Sequence, residues 1–139
     1  MCIRDSTCTS ATTSCTVTGL TNGTSYTFTV TATNSAGTSA ASTASAAAIP
    51  AAAPGAPTAV TATSNANGQS VVSWTAPAAN GAAITGYTVT SSPGSFTCTS
   101  ATTSCTVTGL TNGTSYTFTV TATNSVSYTH LTLPTILRV

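Results

Sequence analysis

From Tyr116 to Thr123 apolar and hydroxyl side chains alternate without a break. Tyr116, Phe118, Val120 and Ala122 fall on one side, and Thr117, Thr119, Thr121 and Thr123 on the other. A period of two is that of a strand with one apolar face, whereas a helix would need about 3.6 residues per repeat. The abundance of threonine beside Val, Tyr and Phe points the same way, because β-branched and aromatic side chains pack well on a pleated surface. Shorter strands are expected at Thr58–Thr63, at Ser70–Thr75 with Val72 and Trp74 on one face, and at Ile84–Ser91 with Tyr87 and Val89 on one face. Phe96–Ser100 and Ser104–Thr108 complete the set before the long strand at Tyr116. Asn67-Gly68, Asn80-Gly81 and Pro93-Gly94 supply turns between them. The expected fold class is all-β.

The long-strand pattern occurs twice. Thr7–Ser35 and Thr97–Ser125 are the same 29 residues, 90 positions apart, a period of about one small domain. Residues 7–48 are therefore expected to be the last strands of a partial domain, at Cys15–Thr18, Ser25–Asn34 and, weakly, within Thr38–Ala47. Alanine enrichment leaves helix as a competitor for that last segment. Residues 49–56 form a Pro/Ala-rich linker, since prolines block both helix interiors and central strands. Residues 57–125 then make a domain of six strands that lacks its native last strand. The edge of its long strand is expected to stay open unless Tyr128–Leu133 takes the seventh place.

Charge sharpens this division. The three formally charged residues, Arg4, Asp5 and Arg138, and the single histidine, His130, all lie in ends that do not continue the repeat. Met1 to about Ser6 and the tail 126–139, VSYTHLTLPTILRV, resemble translated sequencing-adapter sequence, so the tail is expected to be non-native and the chain a fragment cut from a longer repeat array. Ser6–Leu137 contains no Asp, Glu, Lys or Arg. Nucleic acid is therefore not an expected partner, because phosphate recognition needs Lys or Arg. Carboxylate acid catalysis is unavailable, and no base outside the tail stands ready to activate a serine or threonine. Calcium sites usually include carboxylates, so neither a metal nor a cofactor is expected. No apolar run approaches the roughly 18 residues that cross a bilayer, so no membrane insertion is expected. The first residues lack an export signal's apolar region.

Cys8, Cys15, Cys98 and Cys105 form two identical pairs, with Cys2 outside the repeat. Even pairing within each repeat predicts local disulfides, Cys8 with Cys15 and Cys98 with Cys105, and an oxidising compartment. Free buried thiols are one alternative. A four-cysteine metal site is another, opposed by a spacing wider than the usual two to four residues between ligands. Closing a loop of this size contributes about 2.5 kcal/mol in the chain-entropy picture. Asn22-Gly23-Thr24 and Asn112-Gly113-Thr114 match the N-glycosylation acceptor pattern, and are equally well explained as turn formers.

Pro57 opening the first strand, Trp74 on the second, Tyr87 on the third and the run Leu110, Tyr116, Val120, Ala122, Asn124 together resemble a fibronectin type III domain. The resemblance is to the threonine-rich, weakly charged tandem form of secreted and cell-surface bacterial proteins. It implies an immunoglobulin-like β-sandwich, with one nearly complete domain preceded by the rear part of another. Trp74 would be the central core residue, with Tyr87 and Tyr116 packed across from it and Phe118 and Val120 inward on the long strand. The Tyr116 hydroxyl would bond to the backbone near Leu110. The absent charges, the missing last strand and the cysteine pair depart from that pattern.

The resemblance implies a non-catalytic extracellular spacer or stalk module, with neighbouring repeats in the parent chain as its partners and an extracellular or cell-surface location. The alternatives are an adhesion or carbohydrate-binding module, with a surface polysaccharide or protein as ligand, and an accessory domain of a secreted polysaccharide-degrading enzyme. Exposed aromatics would favour a binding module, yet Tyr26, Phe28, Tyr87, Phe96, Tyr116 and Phe118 mostly fall on inward positions.

Overall fold

The computed structural model describes residues 6–64, 66–126, 129–131 and 135–138, and the chain divides into two compact units, Met1–Pro50 and Ala51–Val139. Its strands, in chain order, are β1 (Thr33–Asn34), β2 (Gly37–Thr38), β3 (Thr58–Ala62), β4 (Gln69–Thr75), β5 (Ile84–Ser92), β6 (Thr97–Ser100), β7 (Ser104–Thr108), β8 (Ser115–Asn124), β9 (Thr129–Leu131) and β10 (Thr135–Arg138).

The second unit is an antiparallel sandwich. One sheet has the order β3-β4-β7, and the other runs β6-β5-β8 with β9 and β10 beyond β8. The β5–β8 register pairs Tyr87 with Ala122 and Val89 with Val120, which turns the apolar members of both strands to the same face. That face meets Val72, Trp74 and Val107 from the other sheet, and the buried cluster also contains Leu110, Tyr116 and Phe118. Val72, Val89, Val107, Phe118 and Val120 are completely buried. Each such side chain stabilises the fold by roughly 1.5–3 kcal/mol relative to exposure.

The outward threonines answer carbonyls across the strand pair. Thr117, Thr119 and Thr121 donate through Oγ1 to Ser92, Thr90 and Thr88 at 3.3–3.4 Å, and Thr85 donates to Thr123 at 3.1 Å. Hydroxyls thus replace charged side chains as the polar partners of the surface backbone.

Two segments bear on the sequence-based expectation, the first by the alternative it allowed, with β9 falling inside Tyr128–Leu133. The edge of β8 is paired: β9 covers Thr121–Thr123 and β10 covers Ser115–Phe118. A strand edge presents a row of backbone donors and acceptors, and any adjacent extended segment satisfies them with little demand on side-chain identity. Of the proline-rich stretch 49–56, the part from Ala51 onward belongs to the second unit. There Pro54 and Pro57 are buried, Ala52 N–H donates to Asn80 O at 2.9 Å, and Gly55 N–H donates to Ala78 O at 3.1 Å.

The first unit repeats the sequence of β6 to β8 but not their pairing. Cys15–Thr18, expected as a strand, is not one, whereas its counterpart β7 is held by β4. Thr38–Ala47 is neither a helix nor a regular strand beyond Thr38. Instead Ser39, Ser42, Ser45 and Ala48 donate their N–H groups to Ala32, Val30, Phe28 and Tyr26 at 2.8–2.9 Å. Three residues on one side therefore match two on the other. The serine hydroxyls close the mismatch: Ser39, Ser42 and Ser45 Oγ accept from the N–H groups of Ala32, Val30 and Phe28, each at 3.0 Å. Each Oγ in turn donates to the carbonyl of the next residue at 2.8–2.9 Å. A side-chain oxygen has taken the place of the backbone acceptor that a two-residue ladder would have supplied.

This arrangement makes the hydroxyls, not the alanines, the pairing groups. Ser42→Ala should raise the hydrogen-exchange rate of the Val30 amide by about tenfold, the loss of roughly one hydrogen bond. Ala41→Ser should leave that rate unchanged. Equal exchange in both variants would show that the Ser42 hydroxyl is not the acceptor.

Candidate functional site

The side chains singled out from the sequence meet in three places in the second unit. Trp74 and Tyr87 face each other across the sandwich with ring centroids 5.3 Å apart and an interplanar angle of 59°. Both are buried, and Trp74 Nε1 has no hydrogen-bond partner among the described residues. Tyr116 packs against Phe118 at 6.5 Å and meets Phe96 edge-on at 6.3 Å. Its hydroxyl accepts the Thr111 N–H at 2.9 Å, one residue beyond the buried Leu110, and so pins the corner between β7 and β8. Phe96 leans over Gly94, whose φ is +88° and where a Cβ would collide with the ring. Any side chain there would both strain the backbone and displace the ring.

Cys98 is joined to Cys105, and Cys8 to Cys15, with Cα–Cα separations of 6.2 and 6.1 Å. Consecutive strands were expected to flank the Cys98–Cys105 loop. They do, but β6 pairs with β5 and β7 pairs with β4, so the two strands belong to opposite sheets. The bond is therefore a clasp between the sheets at their shared edge. Both cysteines are half-buried against the core.

Sequence reasoning placed Asn124 in the motif but missed its role. It is 3% exposed, and its Nδ2 donates to Ala52 O at 2.8 Å and lies 3.3 Å from both Ala79 O and Ala82 O, while its Oδ1 accepts the Val126 N–H at 2.9 Å. One amide thus holds the entry segment, the connection between β4 and β5, and the end of β8. The available signal was its phase: Asn124 continues the inward positions 116, 118, 120 and 122. At the opposite corner Asn112 Oδ1 accepts the Gly68 N–H, and its Nδ2 donates to Asn67, both at 2.8 Å. The glycosylation-pattern asparagine Asn112 is thus engaged in joining two loops, and Asn22 is exposed in the first unit.

In the first unit the same residues stand in a different setting. Tyr26 accepts the Thr21 N–H at 3.0 Å, a bond that holds its phenol below the ordinary value. Tyr26 and Phe28 are only half-buried, and Val30 is 69% exposed.

An open depression of about 380 Å³ on the outer side of β5 and β6 is lined mainly by Thr85, Thr88, Thr99, Ser100 and Thr123. Its hydroxyls can accept and donate hydrogen bonds but supply no acid or base. Among the described residues no three His, Cys, Asp or Glu side chains gather where a metal could sit. No helix among them is long and apolar enough to cross a membrane.

The fibronectin type III domain pattern matches residues 3–48 and 55–138. The chain belongs to the fibronectin type III family. No curated protein matches it. Among solved structures, domains A168–A170 of titin match with 27% identity and a TM-score of 0.53, covering 63% of this chain and 32% of that one. The twitchin kinase region from C. elegans matches with 26% identity and a TM-score of 0.53, covering 59% of this chain and 16% of that one. The rat CD45 extracellular region, domains d3–d4, is similar in fold, with a TM-score of 0.65 at 21% identity over 98% of this chain and 74% of that one. The chain thus spans about a third or less of the titin and twitchin chains.

The titin and twitchin matches correct the expectation of a bacterial parent, because both are eukaryotic proteins. The expectation rested on threonine-rich, charge-poor composition. That composition resides on outward positions, which the fibronectin type III frame leaves free, so it carries no information about lineage. The family is a non-catalytic scaffold fold, and this chain is not an enzyme. It is a fibronectin type III module of the spacer and adhesion type, and two matched segments stand in tandem within the chain.

Two consequences concern stability. Replacing both Cys98 and Cys105 by serine should cost the second unit about 2.5 kcal/mol in urea unfolding, the loss expected for a loop of this size. No change in midpoint would mean that the clasp is not formed or does not constrain the unfolded chain. Asn124→Ala should cost about 2 kcal/mol, because it leaves buried carbonyls without a donor. Asn124→Asp should be worse at neutral pH, since it sets a carboxylate among those carbonyls. The folded state would raise that carboxyl's pKa, so the Asp variant should regain stability as pH falls toward 4, an approximate carboxylate value. A deficit independent of pH would contradict this geometry.

Proposed function

We propose that the chain contributes length and stiffness, as an extracellular or cell-surface spacer between other domains of a larger protein. One observation carries this. The second unit turns its large aromatic side chains inward or against the core, while its described outer surface is built mainly from hydroxyl and small side chains without a charged or aromatic cluster. A surface of that kind suits a part that is present for its dimensions. The 29-residue identity of the two repeats supports the same role, because a spacer gains from copies and a specific site does not. The two internal disulfides support an oxidising compartment, where such bonds persist.

Small-angle scattering on tandem proteins with two, four and six copies of residues 51–139 tests the role. Stiffly joined modules should increase in maximum dimension nearly in proportion to copy number, whereas flexibly joined ones grow roughly with its square root. Square-root growth would remove the spacer role. Saturable binding of the same proteins on a glycan array, abolished by Phe96→Ala without unfolding, would assign a carbohydrate-binding role instead.

A further inference from the structure

The outer side of the larger sheet carries a net of threonines. Val120, Val89 and Cys98 turn inward from β8, β5 and β6, so the residues flanking them, Thr119 and Thr121, Thr88 and Thr90, Thr97 and Thr99, all turn outward. Pairing aligns them in rows. Thr99 stands beside Thr88 and Thr88 beside Thr121, while Thr97 stands beside Thr90 and Thr90 beside Thr119. β8 extends the net at both ends, with Thr117 opposite Ser92 and Thr123 opposite Gly86. The hydroxyls of β8 are aligned too: Thr117, Thr119 and Thr121 each donate to the carbonyl of the residue directly opposite, at 3.3–3.4 Å. A hydroxyl whose proton points to the backbone keeps lone pairs that accept from outside. These three strands carry no charged side chain, and their aromatic ones, Tyr87, Tyr116 and Phe118, are buried on the other face.

We propose that this threonine face binds ice. Neighbouring strands lie about 4.7–4.9 Å apart and every second residue of an antiparallel strand repeats at about 6.8 Å, so the outward threonines form a rectangular net. The oxygens on a prism face of hexagonal ice form a rectangular net with repeats close to these. Each threonine offers the two groups that such a surface requires. The aligned hydroxyl oxygens accept from water at fixed positions, and the methyl groups beside them leave the remaining water to bond with itself. A charged group would disturb that order, because an ammonium gathers a strong hydration shell of its own. None stands on β5, β6 or β8. Where Gly86 leaves the net without a side chain, the open depression of about 380 Å³ bounded by Thr85, Thr88, Thr99 and Thr123 gives water a recess. Sheet twist turns adjacent strands by about 20–25°, so one face registers with ice over a few threonines only. Tandem modules of this sequence would sum such contacts. This binding role is independent of the spacer role.

Partition of the full chain into slowly growing ice tests this. The chain should be enriched in the ice fraction above an inert protein of similar size, and it should slow the recrystallisation of fine-grained ice. Thr88→Tyr, which raises a bulky ring from the centre of the net, and Thr121→Lys, which sets a strongly hydrated charge in it, should each lose the enrichment. Tyrosine suits a strand, so Thr88→Tyr should keep the fold, as an unchanged urea midpoint would verify. Thr106→Tyr and Thr106→Lys, at an exposed position of β7 in the other sheet, should retain the enrichment. Exclusion of the unchanged chain from ice would overturn the proposal, as would equal loss in the Thr106 variants. Retention on crystalline cellulose that Thr88→Tyr removes, with no enrichment in ice, would also overturn it and make a solid polysaccharide the occupant.

Discussion

Everything in the second unit depends on one contact surface: the inward face of β8 lying against Trp74 and its neighbours. β8 is the longest strand, it is hydrogen-bonded on both sides, and its inward residues run from Tyr116 to Asn124 without an outward break. Burial of that face fixes the register with β5, because a slip of one residue would turn Phe118 and Val120 to solvent and four threonines to the core. The register then places Tyr116 where its hydroxyl reaches Thr111 and Asn124 where its amide reaches three carbonyls. The polar anchors are consequences of the apolar one. They refine loop positions that the core has already brought within reach.

A protein almost without charge must satisfy its backbone by other means, and both units do so with hydroxyls. Threonines on β8 answer carbonyls of β5. Serines at every third position answer N–H groups of the strand segment before β1. The two devices differ in what they permit. Threonine hydroxyls decorate a ladder whose two-residue repeat already closes, whereas the serine hydroxyls replace missing members of a ladder that would not close. Hydroxyl groups are short and keep both donor and acceptor capacity, so they serve either purpose without the desolvation cost of a buried charge.

Much of this was legible in the residues. Alternation along Tyr116–Thr123, the Asn-Gly and Pro-Gly turns and the lone tryptophan are local signals, and the sheets of the second unit follow them. What was not legible is non-local. Cys98 and Cys105 sit on consecutive strands, and nothing in their spacing says that β6 and β7 belong to different sheets. The Ser39–Ala48 segment repeats every three residues, which matches neither the strand period nor the helical one, so its serines carry no signal until the partner strand is in place. Lineage was misread for a related reason, since the outward positions that vary in composition are those the fold does not constrain. Asn124 was visible by its phase, but its three acceptors come from segments 42 to 72 residues away in sequence.

The repeated segment offers a controlled comparison inside one molecule. Propensity, pattern and turn chemistry are the same in both copies, residue for residue, so none of these accounts for the difference between β8 and its counterpart. In the second unit the segment from Ser115 to Asn124 is one continuous strand; in the first, regular pairing is confined to Thr33–Asn34 and Gly37–Thr38. The variable is the opposing surface. Where residues 51–96 cover the apolar face, burial of Tyr116, Phe118 and Val120 outweighs the entropy of straightening the chain. In the first unit, where the same residues are half-buried or exposed, the ladder is held by serine hydroxyls. Strand formation in this protein is therefore a property of the pair of faces, and the sequence of one face states only what it would pair with.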